Sequence, residues 1–332
     1  KHLETAGIRV NASAPHGRAG SWLLDPADIQ IVNGPGTDVN VSYGGGLWDT
    51  SADTAVVYGG NIASALNLGT SVVIQTGAYG GSTQFGDITM SGVTLAVTPV
   101  NATSLTLRAN RSIAISGSMI SSTAYGLGIT LNAHYLSDAA AGNVQITNSS
   151  ISTSGGNVVI GGGLTPNTIS AIGTTDSSHG IEIYDSSINA AGGNILLSGI
   201  GGAGGGRGVY IHDFITTGSL VTTSGAGTLT IKGQGTGGYS AINIKDASTV
   251  VSTTGTGKLF LDASLNGVAG ARGVHISDGA NVSTASGILH IKGQGGASNS
   301  GVKIENAGTL VTTGDGQILI EGTAGTGSGL TG

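Results

Sequence analysis

Acidic and amide side chains recur at one position of a repeat in the second half of the sequence. Each ends a short stretch of the form apolar-x-Ile-x-Asp/Asn, and the five residues are Asp185, Asp213, Asp246, Asp278 and Asn306. If successive repeats stack in register, these side chains form a ladder with neighbours about 5 Å apart. Carboxylates that close together repel each other, which raises some of their pKa values. The ladder is therefore a candidate site for a cation or a glycan.

Three interpretations of this ladder stay open. Each side chain could accept backbone N–H groups in an Asx turn at a corner of the fold. The row could instead hold calcium, which takes six to eight oxygen ligands, although the sequence has no Gly-Gly-x-Gly-x-Asp nonapeptide repeat. Two of the carboxylates could also act as an acid pair in glycan cleavage.

Arginine adds to the last of these interpretations. A groove that combines carboxylates with Arg would suit a polysaccharide lyase or hydrolase. Arg207 and Arg272 begin two equivalent Arg-Gly-Val stretches, so we expect them roughly 10 Å apart on the same face as the ladder. An active site usually interrupts a repeat, whereas these residues follow it. We therefore predict no catalytic residue and keep polysaccharide cleavage as an alternative.

The remaining chemistry-bearing residues give no metal site. The seven His are scattered without a His-x-x-x-His pair, and the chain has no Cys. A cysteine-ligated zinc site is excluded, and no cofactor is expected apart from the calcium considered for the ladder.

Three short strand patterns position these residues, and they repeat with a period near 30 residues. One of the patterns recurs at Ile231, Leu261, Ile291 and Ile320, which are 30, 30 and 29 residues apart. Three strands per period wrap as the three faces of one coil, whose inward Val, Ile and Leu are buried only when coils stack. Gly and Asn fall at corners, where positive φ is needed. The sequence therefore predicts an all-β solenoid with about three short strands per coil.

Composition excludes several other classes. Gly accounts for 62 of 332 residues, charged residues for 9% and hydrophobic residues for 38%. The Gly residues lack the three-residue period of collagen, and without Cys there can be no disulfide scaffold. No apolar run reaches the 18 residues of a membrane-spanning helix. The formal net charge of −6 argues against a nucleic-acid partner.

We expect a single β-solenoid over residues 1–332. Residues 1–60 are predicted to be a less regular leading segment, and residues 180–322 carry the most regular repeats. A count on the order of 11 coils, at ~4.8 Å each, would give a rod roughly 50–60 Å long. The Gly-rich stretches at 161–180 and 199–208 are predicted to bulge from single coils as loops.

The leading segment contains a compact apolar motif. Trp and two Leu can plug a core, and the following Asp-Pro can start a turn. We interpret the motif as structural packing or capping, with a recognition surface as the alternative; its residues are Trp22, Leu23, Leu24, Asp25 and Pro26.

Residues 2–115 resemble the interior of secreted exoproteins of the filamentous haemagglutinin type, which are exported by two-partner secretion. The matching stretches include the motif at 22–26 and the segments 2–7, 20–29, 62–77 and 86–88. The resemblance implies a right-handed parallel β-helix and a secreted or cell-surface location in a Gram-negative bacterium. It also implies an outer-membrane transporter as the export partner, and roles in adhesion, biofilm cohesion or toxin delivery.

The leading hypothesis is therefore a structural and adhesive β-solenoid segment of a secreted or surface exoprotein. Its partners would be host-cell or matrix glycans and proteins, or other copies of the rod. A self-assembling extracellular filament or matrix subunit is the first alternative, and a polysaccharide-cleaving enzyme is the second.

Overall fold

The computed structural model describes residues 28–50, 55–77, 85–136, 141–214, 218–263 and 271–325. It is an all-β solenoid of about nine turns, with about three strands per coil, as the sequence predicts. The Trp22–Pro26 motif lies outside the described residues. The described residues contain fewer turns than the roughly 11 expected over the whole chain. Some of their coils exceed 30 residues, such as the one that separates Gln145 from its partner Glu182 by 37 residues.

The first described turn is irregular. It contains β1 (Ile29–Val32), β2 (Val41–Gly44), β3 (Leu47–Thr50), β4 (Ala55–Tyr58), α1 (Gly59–Asn67) and β5 (Val72–Gln75).

Eight complete coils follow, and each contributes one strand to each of three parallel sheets. The first four coils contain β6 (Ile88–Ser91), β7 (Thr94–Val97), β8 (Thr103–Arg108), β9 (Ile113–Ser116), β10 (Met119–Ser122), β11 (Leu127–Ala133), β12 (Val144–Thr147), β13 (Ser150–Ser152), β14 (Val158–Gly162), the short β15 (Ala171–Ile172), β16 (Ile181–Tyr184), β17 (Ser187–Asn189) and β18 (Ile195–Ile200). The last four contain β19 (Val209–His212), β20 (Leu220–Thr223), β21 (Leu229–Gln234), β22 (Ile242–Lys245), β23 (Val250–Thr253), β24 (Leu259–Ala263), β25 (Val274–Ser277), β26 (Asn281–Thr284), β27 (Ile288–Gln294), β28 (Val302–Ile304), β29 (Thr309–Thr312) and β30 (Gln317–Thr323).

The three sheets are the sides of the rod. Sheet 1 has the order β28-β25-β22-β19-β16-β12-β9-β6-β1-β4, and sheet 2 has the order β29-β26-β23-β20-β17-β13-β10-β7. Sheet 3 has the order β2-β3-β5-β8-β11-β14-β18-β21-β24-β27-β30, and β15 pairs with β18 beside this path. Within the eight regular coils, each of the three main strands therefore pairs with the equivalent strand of a neighbouring coil.

Alternation within each strand builds the core. In β16, Ile181 and Ile183 point inward and are fully buried, whereas Glu182 and Tyr184 lie on the outer face. Burying such an Ile contributes roughly 1.5–3 kcal/mol relative to leaving it exposed. Because inward residues of successive coils are directly paired, the core is one continuous column.

The N-terminal end of the described solenoid departs from this plan. The helix α1 occupies the place of a sheet 2 strand and packs against β7, with Ile62 and Leu66 fully buried. On sheet 3 the outermost strand, β2, is antiparallel to β3. On sheet 1, β1 lies between β4 and β6. This end is therefore built differently from the regular coils.

A column of residues with positive φ forms the corner between sheets 1 and 2. It begins with Gly92, Gly117 and Asn148, whose φ angles are 64°, 55° and 46°. Residues other than Gly, Asn and Asp are disfavoured in this conformation, because their Cβ clashes with the backbone. The repeated turn therefore selects these residue types at one position of each coil.

A ladder of buried Ser hydroxyls lies beside that corner. The backbone N–H groups of Ser118, Ser149 and Ser186 donate to the Oγ atoms of Ser149, Ser186 and Ser219 at 3.1, 3.0 and 3.3 Å. Each of the last three hydroxyls also donates to a carbonyl oxygen at the end of its own sheet 1 strand. The ladder satisfies backbone groups where the chain turns, which buried polar groups require.

The Gly-rich loops are stacked on one another, which differs from the expectation of bulges from single coils. The strand β15, within the first loop, pairs with Gly199 and Ile200 at the end of β18. The second loop contacts the next coil because Gly206 forms a bridge with Thr236, whose hydroxyl accepts the Gly206 N–H at 3.0 Å. Gly permits this close approach because it has no Cβ.

Candidate functional site

The predicted Asp/Asn ladder lies at the corner between sheets 1 and 2. Four of its members adopt positive φ, with angles of 48°, 80°, 55° and 49° for Asp185, Asp246, Asp278 and Asn306. Asp213 does not share this conformation, because it begins a longer connection to Ser219. Within that connection Gly218 has a φ of 71°. It directly precedes Ser219, just as Asp185 precedes Ser186.

The ladder carboxylates bind backbone groups of neighbouring coils. Asp185 Oδ1 accepts the Phe214 N–H at 3.0 Å, and Asp246 Oδ2 accepts the Asp213 N–H at 3.3 Å. These contacts cross between coils, so they differ from an Asx turn within one coil. They nevertheless give the carboxylates the structural role of capping corner N–H groups.

In the later coils the ladder carboxylates contact a Lys ammonium group and an Asn amide. Lys245 Nζ lies 3.4 Å from Asp246 Oδ1 and 3.9 Å from Asp278 Oδ2. Asn306 Nδ2 donates to Asp278 Oδ1 at 3.1 Å. An ammonium group therefore already lies between two carboxylates. In the described ranges, no group of three or more His, Asp or Glu side chains is arranged to hold a metal ion.

The pKa of the Asp213 carboxyl is raised by burial and by the negative charges of Asp246 and Asp185. This is the repulsion expected between stacked carboxylates. A raised pKa alone does not identify an acid catalyst, and glycan cleavage by a ladder pair stays a prediction.

The arginines and the ladder lie at opposite ends of the sheet 1 strands. Arg207 precedes β19 and Asp213 follows it, and Arg272 precedes β25 in the same way. Six residues of extended chain span roughly 20 Å. The expectation that the arginines share a face with the ladder overlooked strand direction, which sends the two ends of one strand to different corners.

A strip of polar and aromatic side chains covers the outer face of sheet 1. The central outward positions of consecutive strands are directly paired from coil to coil. We call this set the outer strip, and its residues are Gln145, Glu182, Tyr210, Asn243, His275 and Lys303.

Glu182 is held from two sides. Its Oε1 lies 3.2 Å from His212 Nε2, and its Oε2 accepts Gln145 Nε2 at 3.0 Å. His212 Nδ1 lies 3.1 Å from the carbonyl oxygen of Asp213, so both ring nitrogens face oxygen acceptors. Burial alone would raise the pKa of Glu182, but the hydrogen bonds from His212 and Gln145 lower it on balance.

Aromatic rings pack around Tyr210. Its ring stacks on His212 with centroids 3.8 Å apart and planes 12° apart, and it meets His179 in a T-shaped contact with centroids 5.1 Å apart. The Arg207 guanidinium lies 4.0 Å from the Tyr210 centroid and 5.3 Å from that of Tyr239. Burial raises the pKa of the Tyr210 hydroxyl. Tyr210 and His212 are each 9% exposed, whereas Tyr239 is 44% exposed. The Tyr239 ring is therefore accessible to solvent next to a cluster of buried rings.

A second polar network continues the strip toward the C-terminal end. Asn243 Nδ2 donates to His275 Nδ1 at 2.9 Å, and His275 Nε2 donates to Glu305 Oε1 at 2.8 Å. Lys303 Nζ lies 2.8 Å from Glu305 Oε2. Burial lowers the pKa of His275, which agrees with an Nδ1 that accepts a hydrogen bond.

Sheet 3 offers a comparison surface. Phe260 and His290 stack on its outer face with centroids 4.7 Å apart, and Lys258 Nζ lies 4.7 Å from the Phe260 ring. His290 Nε2 also lies 2.8 Å from Glu321 Oε1. This cluster is confined to the last coils, whereas the outward positions of sheet 1 carry polar and aromatic groups across six coils.

Sequence reasoning emphasised the ladder and missed the outer strip. Its members are the middle residues of the apolar-x-Ile pattern, which were assigned only an outward direction. The available signal was their identity, because Glu, Tyr, Asn, His and Lys occupy this position in a chain with 9% charged and 4% aromatic residues.

No protein-family model matches the chain, and no curated protein and no solved structure is significantly similar to it. Among the described residues, no helix has the length and apolarity needed to cross a bilayer.

Proposed function

We propose that this chain is a structural and adhesive β-solenoid segment of a secreted or cell-surface bacterial exoprotein, and that it binds glycans through the outer face of sheet 1. Stacked coils supply a stiff rod, because each coil is hydrogen-bonded to its neighbours along three sheets. The location follows from the resemblance of residues 2–115 to filamentous haemagglutinin-type exoproteins.

The observation that carries the glycan proposal is the outer strip with the rings around it. Sugars present C–H faces to aromatic rings and hydroxyl groups to planar polar side chains, and small-molecule sites combine these two kinds of group. Tyr239 offers an exposed ring, and the half-buried Arg207 guanidinium lies 5.3 Å from its centroid. Tyr184 is half-buried farther along the sheet, where its ring stacks on His212. Hydrogen bonds hold Gln145 and Glu182 in place before any ligand arrives, which reduces the entropy lost on binding.

A glycan array tests this proposal. The purified chain should bind a subset of glycans, and Tyr239→Ala should weaken that binding about tenfold or more. The matched control is Phe260→Ala, which removes an outward aromatic ring from sheet 3 and should leave binding unchanged. No binding to any glycan, or an equal loss in both variants, would overturn the proposal.

Self-association is a second candidate, and the C-terminal end of the described solenoid favours it. The inward-type residues Ile318 and Ile320 of β30 are 43% and 46% exposed, and Ile304 of β28 is 38% exposed. Open strand edges with apolar side chains are templates for further pairing. Light scattering at several protein concentrations tests this candidate: growth in mass with concentration supports it, and a strictly monomeric rod removes it.

A further inference from the structure

Two hydrogen-bond donors converge at the corner between sheets 3 and 1. Arg207 Nη1 lies 3.4 Å from His179 Nε2, and both side chains are half-buried. We propose that this pair is a binding site for the carboxylate of an acidic saccharide. The proposal rests on the glycan-binding function above and names the chemical class of the ligand.

The tautomer of His179 makes both atoms donors. The backbone N–H of Arg207 donates to His179 Nδ1 at 3.1 Å, so Nδ1 carries no proton. In neutral imidazole the other nitrogen then carries it, which makes Nε2 a donor. Burial lowers the pKa of His179, and nearby Arg207 adds to this effect, so the neutral ring is favoured. Arg has only donors, so neither group can satisfy the other.

An anionic oxygen fits between two such donors. A carboxylate oxygen accepts several hydrogen bonds at once, and charge-assisted bonds from Arg are about twice as strong as neutral ones. Neither donor forms a hydrogen bond to Glu182, whose oxygens accept bonds from Gln145 and His212 instead. The half-buried pair is therefore open to an acceptor from outside this cluster.

The surrounding structure fixes both donors. His179 and Arg207 occupy equivalent corner positions of adjacent coils, and the Gly180 N–H donates to the carbonyl oxygen of Arg207 at 3.1 Å. Tyr210 lies against the guanidinium, and the exposed ring of Tyr239 lies beside it. A saccharide ring against Tyr239 would bring its carboxylate to the donors. This combination favours an acidic saccharide over an isolated inorganic anion.

The same corner in later coils lacks the pair. The equivalent positions are Ser240, Arg272 and Ser300, as the hydrogen bonds from Ala241 N–H to Arg272 and from Gly273 N–H to Ser300 show. Arg272 therefore has Ser rather than His in the coils on either side. It is a matched control for the loss of one positive charge at this corner.

Calorimetric titration of the full chain with trigalacturonate and with its neutral methyl ester tests the proposal. The wild-type chain should bind the acid at least tenfold more tightly than the ester. Arg207→Gln should lose about tenfold in affinity for the acid, and His179→Phe about threefold to tenfold. Arg272→Gln should bind as the wild type does, and circular dichroism confirms that each variant is folded.

Three results would overturn the proposal. They are equal affinity for acid and ester, unchanged affinity in Arg207→Gln and His179→Phe, and tighter binding of a sulfated oligosaccharide than of trigalacturonate. The glycan array separates this failure from that of the proposed function. Neutral glycans that depend on Tyr239 but not on Arg207 would leave the function standing, whereas no glycan binding at all would remove both.

Discussion

The backbone N–H of Ser149 donates a 3.0 Å hydrogen bond to the hydroxyl of Ser186 in the next coil. Both residues are buried, and each hydroxyl donates a hydrogen bond to a carbonyl oxygen at the end of the preceding sheet 1 strand. One side chain thus satisfies a donor from one coil and an acceptor from its own. The solenoid uses this relationship to turn the chain without leaving a buried N–H unpaired.

Replacing Ser186 should therefore be costly. In Ser186→Ala the buried Ser149 N–H loses its acceptor, so we expect a loss of about 1–3 kcal/mol in the free energy of unfolding. Ser187→Ala is the control, because Ser187 is the next residue and points outward on β17; it should change stability by less than about 0.5 kcal/mol. Urea denaturation measures the free energy of unfolding of both variants. Equal losses would contradict the role of the buried Ser hydroxyls as acceptors of backbone N–H groups.

At the positive-φ corner, two substitutions of one residue should affect stability differently. Asn148 has φ of 46° and an exposed side chain. Asn148→Val should lose roughly 1–2 kcal/mol, because a β-branched residue is strained in this conformation. Asn148→Gly should be neutral or slightly stabilising. If denaturation midpoints show both variants equally destabilised, backbone conformation is not what selects Asn here.

Glu182 should link stability to acid pH. Its folded-state pKa is lowered, so the carboxylate contributes stability above its unfolded value near 4.5, and this contribution is lost as pH falls through the folded pKa. We expect Glu182→Gln to lose about 1–3 kcal/mol at pH 7, because hydrogen bonds to a charged group are replaced by neutral ones.

The pH dependence is the check on that account. Thermal unfolding of the wild type and of Glu182→Gln should differ most near pH 7 and converge near pH 3. A difference that stays constant across this range would indicate a packing defect instead of a titrating carboxylate.

His275 should make the rod sensitive to mild acid. Burial lowers its pKa from 6.5, so the folded state disfavours the charged ring and stability falls as pH drops below about 6.5. His275→Gln removes that titration while keeping a polar side chain beside Asn243. Between pH 7 and pH 5 the variant should lose less stability than the wild type, as thermal unfolding would show. An identical slope would contradict the assignment.

Removing the negative charge of Asp213 should increase stability. Its pKa is raised by burial and by Asp246 and Asp185, so ionisation above the unfolded value near 3.8 opposes folding. Asp213→Asn should therefore stabilise the chain at pH 7 by a few tenths of a kcal/mol, a size typical of surface charges. Unfolding at pH 3 should show no gain. A loss of stability at pH 7 would mean that the carboxylate has a partner that outweighs the repulsion.

The fold could be predicted from the sequence because the apolar residues repeat with regular spacing. Alternation in stretches such as Ile181–Tyr184 identifies the inward positions, and the 30-residue spacing from Ile231 to Leu261 identifies the coil. Stacking in register then follows from burial alone. The irregular first turn did not follow from the repeat, because α1 and the β2–β3 pair have no counterpart in it.

The candidate site was only partly predictable. The position of Asp185 was apparent from spacing, but the displacement of Asp213 depends on an inserted corner that leaves the Ile-x-Asp pattern intact. The pairing of His179 with Arg207 joins residues 28 apart in sequence, and the loops that bring them together vary in length. Such contacts depend on how loops stack, which a periodic pattern does not specify.

The most direct test of the central claim is photo-affinity labelling with a glycan that the chain binds, followed by mapping of the labelled peptides. The account predicts labels in residues 179–184, 207–212 and 239–245, which form the outer face of sheet 1 and its corner. Labels concentrated on sheet 3 around Phe260, or spread evenly over the rod, would contradict it.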